Sequence, residues 1–252
     1  MNYFVNQDSV VRKIWGKSDT ILFIFAGAAG EFALNKAVDW LYYTGKLPSD
    51  PLGRLFSTVK YARMIVFATE EEANKAITAM RKIHTAVEQS RGVAIPDWAY
   101  RDVLFMLIHY SIAAHELLES PLSEKEKAEV YDVFYRVGIG MGLQELPVDY
   151  SHWLPVRESH LQENLKKSHF TTDLFSQYKK HLGAFRFRLL LESQKIVCPK
   201  KVLRLLDFHT VSLLQPIIPL YKFGKQFKAD VFVKHILLPK QYKAQIKELD
   251  VA

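Results

Sequence analysis

The sequence predicts an all-α protein: one globular domain over residues 1–252, built as roughly eight to ten helices around a buried central helix. Three observations predict it. Apolar residues recur at i, i+3, i+4 along most of the chain, and no two alternating runs are joined by a hairpin turn. Helix-start signals recur at intervals: Asp50-Pro51, Thr69 with Glu72, Ser123 with Glu126. One segment, Val103 to Ala114, is apolar nearly all round, as suits a helix enclosed by others. Of the 252 residues, 49% are hydrophobic and 24% charged, which provides a sizeable core and excludes disorder as a general description. The single cysteine, Cys198, excludes a disulfide framework and a cysteine-based structural zinc site.

Taken in order, residues 1–20 mix Asp8, Arg12, Lys13, Lys17 and Asp19 with apolar residues and lack the basic-then-apolar order of a signal peptide. The richest apolar run, Ile21 to Gly30, stops at Glu31 and is shorter than the roughly 20 apolar residues that span a bilayer. A cytoplasmic protein without a transmembrane helix is expected, with peripheral membrane contact as an added possibility. Gly27-Ala28-Ala29-Gly30 reads as close helix packing, since a dinucleotide site would need a preceding strand. Asp50 caps a helix carrying Leu52, Leu55, Phe56, Val59, Ala62 and Val66. Thr69 opens another with Ala73, Ala76, Ile77, Met80, Ile83, His84 and Val87 on one stripe, ended by Gly92 and Pro96. The central helix runs from about Asp97 to Glu119. Ser123 opens a helix to about Met141, where Gly138, Gly140 and Gly142 allow close backbone approach. Pro147 restarts the chain toward a helix from about Asp149 to Lys167. Thr171 or Thr172 caps the next, to about Ser193. Pro199 starts a further helix, and Pro216 and Pro219 break the pattern after Leu214. No repeat of 20–50 residues is present.

Charge is unevenly spread. From His160 to the end there are 17 basic and 7 acidic side chains, a balance of +10, against −3 for the rest and +7 overall. Between Val211 and Lys240, Leu213, Leu214, Ile217, Ile218, Phe223, Phe227, Val231 and Phe232 interleave with Lys222, Lys225, Lys228 and Lys234. Such a tail packs on the core with a solvated lysine face or lies on an anionic membrane surface. The basic residues form no compact run and no nucleic-acid motif appears, so no nucleic-acid partner is expected.

Phosphate-loop, dinucleotide, HExxH and GxSxG motifs are absent. Two constellations remain. His84 lies on an apolar stripe, where an imidazole either bonds a carbonyl or binds a metal through its neutral nitrogen. His109, in the central helix, is a similar case. Arg54 and Thr58 share a face with Tyr61 and Ile65, so the arginine can meet an acid, a propionate or a substrate carboxylate, or form a structural salt bridge. Histidine spacings do not build a multi-histidine centre; a single proximal histidine suits the sequence better.

The order of these segments resembles the family of MpaB-type oxygenases and the rubber-cleaving latex clearing protein. The resemblance runs from Phe25-Ala26-Gly27-Ala28-Ala29-Gly30-Glu31 through Asp50-Pro51-Leu52-Gly53-Arg54 and Ser57-Thr58 to Arg81-Lys82-Ile83-His84. It continues in Pro121-Leu122-Ser123, Gly138-Ile139-Gly140-Met141-Gly142 and Leu146-Pro147-Val148-Asp149-Tyr150. It covers residues 21–165, with 166–252 as a basic helical tail packed on that core. The resemblance implies an all-α fold with one haem b, its iron held by His84, and Arg54 and Thr58 lining the distal side. The rubber oxygenase has a lysine directly before that threonine, where this chain has Ser57. It also has a catalytic glutamate upstream of the arginine; the nearest acid here is Asp39, with Glu31 the other candidate. Where the family often has a tryptophan just before the His109 position, this chain has Leu107 and Ile108. Cys198 lies outside every matched segment, so histidine, not thiolate, is the implied ligand. The implied function is dioxygen-dependent oxidation or alkene cleavage of a hydrophobic, prenyl- or lipid-like substrate. The rival expectations are a non-catalytic lipid-binding protein and a haem sensor.

Overall fold

Serine 9 begins the first helix by accepting the Val11 N–H on its hydroxyl at 3.1 Å. In the computed structural model, residues 2–43, 45, 49–209 and 211–225 are described, the side chains of Leu52, Leu55 and Lys225 excepted. Among them are eleven helices: α1 (Val10–Trp15), α2 (Ser18–Phe32), α3 (Asp39–Tyr43), α4 (Pro51–Val66), α5 (Glu70–Arg91), α6 (Asp97–Leu118), α7 (Glu124–Met141), α8 (Tyr150–Glu163), α9 (His169–Val197), α10 (Lys200–Leu205) and α11 (Ile217–Lys225). The described residues contain no strand, only two isolated bridges, Tyr3 with Thr69 and Asn35 with Leu165. The protein is all-α.

The expected caps hold three helices. Asp50 accepts the Gly53 N–H at 2.8 Å with Pro51 at the first helical position. Thr69–Glu72 and Ser123–Glu126 are reciprocal capping boxes. Gly92 and Gly142 end α5 and α7 with φ of 73° and 84°, left-handed values that favour glycine.

The differences have local causes. The short α1 and α3 raise the helix total above the expected number. Helix α8 stops at Glu163, not near Lys167, because the following residues pair with the α2–α3 connection: Lys36 N–H donates to the Asn164 carbonyl (2.9 Å) and Lys166 N–H to that of Leu34 (2.7 Å). Helix α9 starts earlier than Thr171. The buried Thr171 is its third residue, accepting the Ser168 N–H at 2.9 Å and donating to the Ala33 carbonyl at 2.7 Å. The same helix bends at Gly183, where φ is 73°, and continues past Ser193. After Pro216 the chain resumes a helix, α11, with Pro219 in its first turn. The expected lipid-facing residues Phe227, Lys228, Val231, Phe232 and Lys234 lie outside the described residues.

Helix α6 is the central one. It packs against α1, α2, α7, α9 and α11, and most of its middle is buried, from Leu104 to Ala114. Glycines set two close approaches. A Cβ on Gly27 would sit 2.3 Å from the Tyr110 ring, so α2 and α6 meet at the small-residue stretch. A Cβ on Gly140 would sit 2.9 Å from Ile77, bringing α7 onto α5. One hydrophobic core runs from Phe4 through Trp15, Phe105 and Trp153 to Leu206. No helix among the described residues is long and apolar enough to cross a membrane.

Candidate functional site

Helix α5 presents Ala73, Ala76 and Ile77 to the core, then continues the stripe as the half-buried Met80, His84 and Val87. The His84 Nδ1 lies 2.9 Å from the Met80 carbonyl oxygen. A carbonyl only accepts, so Nδ1 carries the proton and Nε2 the lone pair. Burial lowers the imidazole pKa, the Met80 bond opposes it, and the positive charge of Arg54 lowers it further. The ring is therefore neutral near pH 7. Tyr100 meets it edge-on, centroids 5.3 Å apart. That tyrosine donates to Glu88 Oε1 at 3.1 Å, and the Ile95 N–H donates to the same oxygen at 2.9 Å, which ties the start of α6 to α5.

Helix α4 packs on α5 and brings Arg54 within electrostatic reach of His84. Burial lowers the guanidinium pKa, and its Nη1 makes one long bond, 3.4 Å, to Ser57 Oγ. Ser57 thus contacts the arginine. Thr58 donates its hydroxyl to the Arg54 carbonyl at 3.2 Å, so while that bond lasts its oxygen acts toward a ligand as an acceptor. The structure therefore brings Arg54 of α4 near His84 of α5, with Ser57 and Thr58 one turn along α4 and bonded to Arg54.

The two candidate acids differ. Asp39, at the start of α3, pairs with Arg91 Nη2 at 2.7 Å, and that guanidinium lies over the Trp40 ring at 3.9 Å. Arg91 is seven residues past His84 on the same face of α5, about 10 Å along the axis. Asp39 thus stands at the end of the His84 face. Glu31 is buried in the core instead. Its oxygens take Arg157 at 2.6 and 2.5 Å and the Tyr110 hydroxyl at 2.8 Å. Three hydrogen bonds tie it into that network. Cys198 lies beside it, 3.6 Å from the Tyr110 oxygen, with burial pushing its thiol up to about 12. Burial, then the Arg157 charge, holds His109 down to about 4.

Sequence reasoning missed a second buried pair. Asp102 on α6 pairs with His160 Nδ1 and accepts Asn35 Nδ2 at 2.7 Å and Asn164 Nδ2 at 3.1 Å. Only a lone acid beside an apolar run marked Asp102, and His160 sat among polar neighbours. His115 is buried as well.

Among the described residues, no group of three or more His, Cys, Asp or Glu side chains is arranged to hold a metal ion. The donor set does fit a haem, which asks for one neutral imidazole with its lone pair on the nitrogen remote from the supporting hydrogen bond. His84 meets that demand, and the half-buried Arg54 provides a cation for an acidic group of the ligand.

Fold and site together define a class: an all-α protein in which an arginine of α4 lies within electrostatic reach of a histidine on α5. The family model described as "ER-bound oxygenase mpaB/B'/Rubber oxygenase, catalytic domain" matches residues 13–218, and the chain belongs to that family. The match reaches beyond residues 21–165, through α10 to the first turn of α11. No curated protein and no solved structure matches the chain.

Proposed function

We propose that this protein is a haem b-dependent oxygenase that acts on a hydrophobic, prenyl- or lipid-like substrate by dioxygen-dependent oxidation or alkene cleavage. The observation that carries the reading is the His84 imidazole, neutral and with its proton fixed on Nδ1, in a chain of this oxygenase family.

A bound haem would supply a redox-active iron at which dioxygen is activated. Everything else falls to the chain. His84 offers Nε2 as the ligand, and the Met80 carbonyl holds the ring's orientation and raises its basicity as a donor. Arg54, half-buried and held to Ser57 by a long bond, would pair with a carboxylate or orient a polar oxygen. Thr58 accepts a hydrogen bond from that side while its own proton stays on the Arg54 carbonyl. Asp39 is assigned as the acceptor of a substrate proton, with Arg91 fixing the position of its carboxylate. Met80 and Tyr100 provide apolar surface beside the imidazole.

The test is the visible spectrum of protein expressed with haem supply, recorded oxidised, reduced and under carbon monoxide. The expected result is a Soret band that disappears in His84→Ala while far-UV circular dichroism is unchanged. Absence of the band, or a band indifferent to His84→Ala, overturns the assignment. Asp39→Asn is expected to keep the band and slow oxygen uptake with a polyprenyl substrate at least tenfold (about 1.4 kcal/mol).

A further inference from the structure

We propose that α11, together with the residues just before it, docks on the surface of an anionic lipid bilayer. This inference does not depend on the haem assignment.

The segment is anchored from one side. Ser212 donates to the Glu192 carbonyl at 2.9 Å, the Leu213 N–H donates to Glu192 Oε2 at 2.7 Å, and Tyr221 donates to Asp19 Oδ2 at 2.9 Å. These bonds fix the segment across α9 and the start of α2, with α11 against α6. The other side is apolar and exposed: Val211 71%, Leu213 59%, Ile217 49% and Leu220 70%. Ile217 and Leu220 are three apart and share one face of the helix.

The start of this helix makes few demands on water. The Ile217 and Ile218 N–H groups both bond the Leu214 carbonyl, at 2.9 and 3.1 Å, and Pro219 has no N–H to satisfy. A helix N-terminus normally leaves several donors that must find a partner. Here that cost is largely removed, so the turn enters a low-dielectric boundary cheaply.

Charge selects lipid over a protein partner. From Phe208 to Lys225 there is no Asp or Glu, and from His160 onward the balance is +10. A protein interface carries about one hydrogen bond per 100–200 Å². Between Val211 and Leu220 the exposed positions are apolar except for Gln215, so the face offers little for such bonds. An apolar face edged by Lys222, in a stretch with no acid of its own, is the pattern of an interfacial helix on anionic lipid. The half-buried Lys222 can lay its methylenes on the protein and extend its ammonium to the headgroups.

The full chain is tested by flotation with vesicles of phosphatidylcholine alone and of phosphatidylcholine with phosphatidylserine, at low and high salt. The expected result is binding to the phosphatidylserine vesicles at low salt, weakened by high salt, and at least tenfold weaker in Leu220→Glu and Ile217→Glu with circular dichroism unchanged. Leu213→Ser, outside the helix, replaces these variants if either unfolds. Absence of flotation, or flotation that the variants leave unchanged, overturns the proposal. A variant that lowers Tm without altering flotation shows the face covered by this chain itself. One that converts a dimer to a monomer without altering flotation shows a second copy. Either result also overturns it.

Discussion

Glu31 and Arg157 lie 126 residues apart in sequence and form a bidentate ion pair in the core, shared with Tyr110. Burial alone would lower the Arg157 pKa; the pairing with Glu31 outweighs it and raises the value. Removing one partner strands the other in low dielectric. Glu31→Gln is therefore expected to cost about 3–5 kcal/mol, read by chemical denaturation. Replacing both partners with apolar residues is expected to cost less than either single change. His109 gives a pH signature beside this pair. Its pKa is held down to about 4 from an ordinary 6.5, by burial first and Arg157 second. The folded state thus binds that proton more weakly than the unfolded chain does. Stability is complete above pH 6.5 and falls as pH drops through the window from 6.5 to 4, by up to roughly 3 kcal/mol. In His109→Gln the difference in Tm between pH 7 and pH 5 is expected to shrink; an unchanged difference would remove His109 from the explanation. These residues differ in how well the sequence reveals them. His84 could be read because an imidazole on an apolar stripe is conspicuous within its own helix. Glu31–Arg157 and Asp102–His160 could not be read as pairs, because each is made by helices far apart in sequence.

At the scale of elements, termini were easier to read than interiors. Asp50, Thr69 and Ser123 cap as expected because a cap is a bond between residues two or three apart. The early end of α8 depends on another part of the chain, the α2–α3 connection, and leaves no such mark. The α2–α6 contact lies between these cases. Gly27 was visible in the sequence, while the Tyr110 ring that it admits was not. That contact predicts an asymmetry between glycines. In Gly27→Ala the new methyl would lie 2.3 Å from a ring that is buried and whose hydroxyl is bound to Glu31, so the ring cannot yield freely. A loss of about 2–3 kcal/mol is expected. Gly92→Ala meets no atom within 4 Å and suffers only its left-handed φ of 73°, for about 1 kcal/mol. Equal losses in the two variants, measured by urea unfolding, would contradict this account of the contact.

For the whole molecule, charge divides into a near-neutral front and a basic tail, while the packing of the described residues does not divide there. The core cluster takes Val197, Val202, Leu203 and Leu206 from the far end and Phe4, Val5, Val10, Val11, Ile14 and Trp15 from the start. The first residues were read only for targeting signals, since residues 1–9 are too few and too mixed to show a helical period. In the structure they tie two distant segments together. The Phe4 N–H donates to the Ala68 carbonyl at 3.2 Å, the Glu70 N–H donates to that of Asn2 at 3.0 Å, and Arg136 donates to the Phe4 carbonyl at 2.8 Å while lying over its ring at 4.4 Å. Phe4 therefore joins the α4–α5 junction to α7, and that junction precedes the helix bearing His84. Truncating a buried phenylalanine costs about 3–5 kcal/mol. For a chain of this length each kcal/mol moves Tm by about 2–4 °C. Phe4→Ala is thus expected to lower Tm by about 10 °C, and deletion of residues 2–9 by more, because deletion also strips Arg12 and Arg136 of their carbonyl partners. If these residues were only a leader on a core beginning near residue 21, both changes would leave Tm where it was. Thermal unfolding followed by circular dichroism separates the two outcomes.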